Sequence, residues 1–257
     1  MPQRIHLKKV CTFLLVSLLT ICCFGQLPFE KKYKAIKVRE YKTWESIVDT
    51  INYTEATHTI AIPRMYHKTK TLTIQVTAND SLETVTIRLF NKGQLIQKII
   101  APKAYFGLST PFPAFVADYN HDGLVDVKFL IPYYGCGAFN TYSKVFYLLQ
   151  KKDHQFAIIS FTDNIPEDDS NRLERDVDGG GSYKIITRSF ESHKRHSYWL
   201  YNMYEFKGYH LMNANHTVNY PIMIQILDNE TFRITRNLTR REMKKYAQKL
   251  PDDYSER

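Results

Sequence analysis

Short runs of alternating apolar and polar residues, separated by small polar turns, make up most of this chain from residue 72 onward. Leu72 to Thr77 alternates with period two, as a strand with one face in a core does. Thr84 to Phe90 and Gln94 to Ile100 flank Asn91-Lys92-Gly93, a hairpin signal. Lys144 to Leu149 and Phe156 to Phe161 flank the polar stretch Lys151 to His154. Ser197 to Phe206 and His210 to Ala214 flank Lys207-Gly208, and Tyr220 to Leu227 and Thr231 to Thr235 flank Asp228 to Glu230. Repeated hairpins with short turns predict an all-β fold, an antiparallel hairpin meander of propeller-like or sandwich form. Tyr198 to Phe206 is apolar on both faces, the pattern of a buried central strand.

Helix is scarce in this pattern. Trp44 to Ile51 reads as one short helix and Arg240 to Leu250 as a second, C-terminal one. Thr239 with Glu242 forms a capping-box signature before the latter, and Pro251 marks its end. Its basic face (Arg240, Arg241, Lys244, Lys245) suits solvent better than anionic lipid. The apolar face of Met243, Tyr246, Ala247 and Leu250 is thin.

Between two of the β-rich stretches lies the segment from Asp118 to Asp126, with Asp118, Asn120, Asp122 and Asp126 as oxygen-bearing residues and Gly123 after the third. Calcium takes six to eight hard oxygen ligands at about 2.3–2.6 Å, which a tight Asp/Asn loop delivers. Asp118, Asn120 and Asp122 offer side-chain oxygens, Leu124 its backbone carbonyl, and Asp126 binds directly or through water. Tyr119 and His121 are expected to point outward. An EF-hand would place Glu at the twelfth position, where this chain has Phe129, and the flanks are strand-forming. A turn of Asx residues without an ion is the alternative, and it does not require the fourth acid, Asp126.

From Phe115 to Tyr134 the chain resembles the calcium loops of integrin-type FG-GAP/VCBS repeats and of bacterial proteins with a single such hairpin. The resemblance implies calcium as the bound ion, with Asp118, Asn120, Asp122, Leu124 and Asp126 as its ligands. It does not define a reaction.

A second stretch, Asp176 to Ile186, repeats the first with acids at positions one and three and glycine at six (Gly181). Position five is Gly180 and position nine is Lys184, a cation that would oppose a bound dication. A hairpin of the same shape without its metal and an unrelated glycine-rich loop are equally open readings. One good copy and one doubtful copy do not make a full propeller.

Residues 1–25 read as an export signal: Arg4, Lys8 and Lys9, then the apolar run Val10 to Ile21, then Cys23 and Gly25 before a cleavage point. The run is short for a membrane span of about 20 residues. Lipidation at Cys22 or Cys23 is the alternative. It is disfavoured because Ile21 and Cys22 precede those cysteines, and a small residue is expected there. The expected product is one β-rich, calcium-binding domain, residues 26–257, in the periplasm or outside the cell, with membrane contact only if it is lipidated. Such a product keeps only Cys136, so no intrachain disulfide forms. The formal charge of +9 falls to +6 without the three leader cations, a level that serves solubility.

The partner classes follow from what is present. Export and the absence of a recognition motif argue against nucleic acid. No nucleophile elbow, P-loop, zincin or dinucleotide fingerprint occurs, which weighs against an enzyme. His193 and His196 lack a third ligand for zinc. Tyr133 and Tyr134, just past the calcium hairpin, are the candidate binding aromatics. The expected function is non-catalytic binding of a protein or a glycan. A periplasmic inhibitor of a cell-wall hydrolase, suggested by the single-hairpin resemblance, and an extracellular polysaccharide-acting enzyme are the alternatives.

Overall fold

The structure is a computed structural model that describes residues 34–48, 55–66, 70–79, 84–102, 111, 113–132, 142–164, 174–217, 219–226, 232–234 and 238–257. Two short strands come first, β1 (Lys34–Ala35) and β2 (Arg39–Tyr41), and each becomes an edge of a later sheet. A first sheet follows in simple chain order: β3 (Glu45–Val48), β4 (Glu55–Ile62), β5 (Leu72–Asn79), β6 (Thr84–Asn91) and β7 (Gln94–Pro102). The second contains β8 (Ala114–Ala117), β9 (Asp126–Pro132), β10 (Tyr142–Gln150) and β11 (Phe156–Asn164), with β2 beside β8. The third contains β12 (Glu174–Asp176), β13 (Lys184–His193), β14 (His196–Lys207), β15 (His210–Asn213), β16 (Ile222–Ile226) and β17 (Phe232–Ile234), with β1 beside β12. Helix α1 (Arg240–Met243) and a 3-10 turn (Lys244–Tyr246) lead to β18 (Ser255–Glu256), which returns to pair with β11. All these pairings are antiparallel, and the sheets are open, as the hairpin pattern predicts.

The sheets stack face to face. One core cluster joins the first sheet (Ile60, Ile74, Leu89) to the second (Val127, Phe129, Phe146). Another joins the opposite face of the second sheet (Leu130, Val145, Tyr147) to the third (Ile185, Tyr204). The second sheet is therefore covered on both sides, and β9 is buried along its whole length. Each large apolar side chain so buried contributes about 1.5–3 kcal/mol relative to exposure. Tyr198 to Tyr204 in β14 are likewise all buried, in accord with the central-strand reading.

Two predicted helices differ from what forms. Glu45–Val48 is a strand, not a helix, and the rest of that prediction, residues 49–51, lies outside the described residues. Pairing with β4 decides this: Ile47 sits opposite Thr57, Ser46 Oγ meets His58 Nδ1 at 2.8 Å, and Trp44 packs edge-on to Phe129. The C-terminal helix has the predicted capping box, yet it ends at Met243 and a 3-10 turn, well before Pro251. The backbone at Ala247 is extended, and the Gln248 N–H donates to Asn202 Oδ1 at 3.1 Å, drawing the chain onto β14. Among the described residues no helix is long and apolar enough to cross a membrane.

Candidate metal centre

Strands β8 and β9 pair so that Ala117 faces Asp126, and the residues between them form the loop. Its wrapping follows from short acceptor side chains that capture nearby backbone N–H groups. Asp118 Oδ2 accepts from Gly123 N at 3.0 Å, and its Oδ1 accepts from Asp122 N at 3.2 Å. Asn120 Oδ1 accepts from Asp122 N at 3.3 Å, and Asp122 Oδ1 from Leu124 N at 2.8 Å. Positions four and six are left-handed: His121 at φ 61° and Gly123 at φ 82°. Glycine takes the latter conformation without steric cost.

Asp118, Asn120 and Asp122 thus share one turn of backbone. Asp126 points inward instead. It is fully buried, and its two oxygens accept from Tyr119 N at 2.9 Å and Gln150 N at 2.8 Å. Burial pushes its carboxyl up to about 7; the Gln150 and Tyr119 N–H groups oppose the rise, and the charges of Asp122 and Asp118 add to it. Among the described residues none of these three acids has an ion pair. Nor do three acidic, His or Cys side chains converge there closely enough to hold a metal by themselves. The predicted ligands Asp118, Asn120 and Asp122 therefore sit on one exposed turn, while Asp126 lies buried beneath the strand ends.

Tyr119 corrects an expectation. Its side chain is 2% exposed and packs edge-on to Tyr147 at 5.2 Å, because the loop turns it into the core between the second and third sheets. His121 does point outward and stacks on Tyr183 of the second loop at 5.4 Å. The β14–β15 turn also reaches the first loop. Asn120 Nδ2 donates to Gly208 O at 3.2 Å, and Tyr209 Oη lies 3.5 Å from Asp122 Oδ2.

The second loop has the same backbone plan. Arg175 faces Lys184 in the ladder, in the register of Ala117 and Asp126. Gly181 N donates to Asp176 Oδ1 at 3.3 Å and Gly180 N to Asp178 Oδ1 at 3.1 Å, the six-to-one and five-to-three bonds of the first loop. Positions four and six, Gly179 and Gly181, are again left-handed. Of the two open readings, a copied hairpin and an unrelated loop, these matches favour the copy. The ninth residue differs in what it does. Lys184 Nζ reaches Asp178 Oδ2 at 3.3 Å, Glu205 Oε2 at 2.6 Å and Ser182 Oγ at 3.3 Å, so an ammonium neutralises this loop from within.

A buried pair that the sequence reading passed over ties the two hairpins together. Lys128, two residues past the first loop, meets Glu174, two residues before the second, at 2.7 Å. Tyr147 Oη also donates to Glu174 Oε1, and the Lys128 ammonium lies 5.0 Å from the centre of the Phe115 ring. A lysine inside the apolar run from Val127 to Ile131 was the available signal. His193 and His196 bracket a two-residue turn and separate, His193 Nδ1 to Tyr246 Oη at 2.7 Å and His196 Nδ1 to Gln225 Nε2 at 3.1 Å. Tyr133, Tyr134, Cys136 and residues 1–25, with Cys22 and Cys23 and the expected export signal, lie outside the described residues. No family model matches the chain, and no curated protein or solved structure matches it either.

Proposed function

We propose that this is an exported β protein whose 118–126 loop takes calcium and whose task is non-catalytic binding of a protein or a glycan. One observation carries the reading. Oxygen-bearing side chains at the first, third and fifth loop positions are wrapped by the loop's own N–H groups above the buried Asp126, with no protein cation paired to them among the described residues. Calcium would supply positive charge to this acidic loop. The resemblance to FG-GAP/VCBS loops points the same way, and the basic and apolar leader supports export. Inhibition of a cell-wall hydrolase is the specific task that the single-hairpin resemblance suggests. The polysaccharide-hydrolase alternative draws no support from the cleft between the first two sheets, where Asp253 is the one acidic side chain among the described lining residues.

The test is a calorimetric calcium titration of the purified protein, with melting curves in calcium and in chelator. Extracellular calcium modules bind at about 10⁻⁴–10⁻³ M. At a Kd of about 1 mM, roughly 10 mM calcium stabilises by about 1.4 kcal/mol, a rise of roughly 3–5 °C. Asp122→Ala should abolish both the heat and the rise. Superimposable curves with and without calcium reject the reading.

A further inference from the structure

A cleft of about 340 Å³ lies between the first and second sheets, lined by β7, β10, β11 and the tail around β18. Its buried part is apolar, formed by Ile99, Ala101, Phe146 and Ile158. Its polar part holds Lys144, with Asp253 and Arg257 exposed beside it.

Lys144 is the unusual member. The residue is only 8% exposed, and its Nζ donates to the backbone carbonyl of Asp253 at 2.8 Å. That acceptor is neutral. Among the described residues no carboxylate lies within ion-pair distance of Lys144. The nearby Asp253 carboxylate instead accepts from Thr162 Oγ1 at 3.1 Å. Burial pushes the Lys144 ammonium down in pKa, and the charge of Asp253 only partly opposes this. Arg257 spends a guanidinium N–H on the Ile100 carbonyl, also neutral. Among the described residues the Lys144 ammonium, withdrawn from water, has one neutral acceptor and no paired counter-charge, a costly state that an anion would relieve.

We propose that this cleft binds a small organic carboxylate with an apolar tail, its carboxylate on Lys144 and its tail along Phe146, Ile158 and Ile99. The apolar walls select against a bare inorganic anion, and the ammonium selects against a neutral hydrocarbon. The volume falls at the lower end of the roughly 300–1,000 Å³ usual for small-molecule clefts. No residue of the 118–126 loop lines the cleft, and the proposal does not depend on calcium.

Decanoate is the probe, with decanol and acetate as comparators, titrated into the full chain by calorimetry in chelator. Decanoate should bind at least about tenfold more tightly than either comparator, the margin expected of a charge-assisted hydrogen bond combined with tail burial. Lys144→Met should weaken decanoate about tenfold or more and leave the melting temperature equal or higher, since it removes a poorly compensated buried charge. Should that variant fail to fold, Arg257→Gln takes its place: it removes the second cation at the cleft rim, whose field also favours the bound carboxylate, with a loss of about threefold expected. Absence of decanoate binding at millimolar concentration, equal binding of decanol, or unchanged affinity in the folded Lys144→Met variant overturns the proposal. Unchanged affinity in Arg257→Gln does so where Lys144→Met cannot be read.

Discussion

The 118–126 and 176–184 loops share a ladder register, two left-handed positions and two side-chain-to-backbone hydrogen bonds, and they differ in how their charge is balanced. In the first, Asp126 at position nine is an acid whose oxygens are consumed by the N–H of Tyr119 in the loop and that of Gln150 in β10. In the second, the residue at that position is Lys184, whose ammonium lies between Asp178 and Glu205. The same backbone is completed from inside by a side chain in the second loop, and in the first it awaits the ion proposed above. The loop conformation follows from the Asx and glycine positions, and the charge inside each loop follows from the ninth residue.

The largest test of this comparison is to sever the two hairpins. Lys128→Met or Glu174→Gln alone leaves an uncompensated buried polar group and should cost about 3–5 kcal/mol. The double replacement Lys128→Met with Glu174→Leu should recover most of that. Urea unfolding measures both, and additive losses would mean that the pair does not act as a unit.

Next in size is Lys184→Asp combined with Gly180→Asp, which writes the first loop's acids into the second. Loss of the ammonium should cost roughly 1–3 kcal/mol in chelator. The variant should then gain a calcium-dependent rise in melting temperature that persists when Asp122→Ala has silenced the first loop. No gain would mean that backbone identity is not enough.

Acidity separates the loops further. Gly180 N–H and Lys184 hold Asp178 below its ordinary 3.8. Burial opposes the same trend at Glu205, but Lys184 and Lys207 outweigh it and hold that carboxyl below 4.5. Folded values below unfolded ones give stability that is complete above the unfolded values and lost as pH falls through the folded ones. Acid unfolding of Lys184→Met should therefore show a smaller drop below about pH 4.5 than the parent. The smallest effect belongs to the loop-to-loop stack: His121→Ala should cost about 0.5 kcal/mol, and a cycle with Tyr183→Ala should recover it as coupling.

The hairpins were legible because period-two alternation and turn residues are local. Lys92 and Gly93, both at positive φ, form the turn that Asn91-Lys92-Gly93 announced. The spacing of the loop's oxygens was legible for the same reason. Features set by distant partners were not. Glu45–Val48 becomes a strand only beside β4, and Asp126 becomes an anchor only because Gln150 N arrives from the end of β10. Tyr119 turns inward because Tyr147, from a strand beyond the loop, offers it a wall. The C-terminal helix is cut short by Asn202, 46 residues before Gln248.

That tail has a consequence in time. Its last residues bridge layers made much earlier: Thr162 N donates to Asp252 O, Arg257 N to Ile158 O, and the Arg257 guanidinium to the Ile100 carbonyl, 157 positions upstream. Neighbouring hairpins can zip as they are synthesised, whereas this latch forms only after the chain has been made through residue 257, 157 positions beyond its earliest partner. Deleting residues 252–257 should therefore leave the hairpins able to assemble and weaken chiefly the clasp that holds the stacked layers shut.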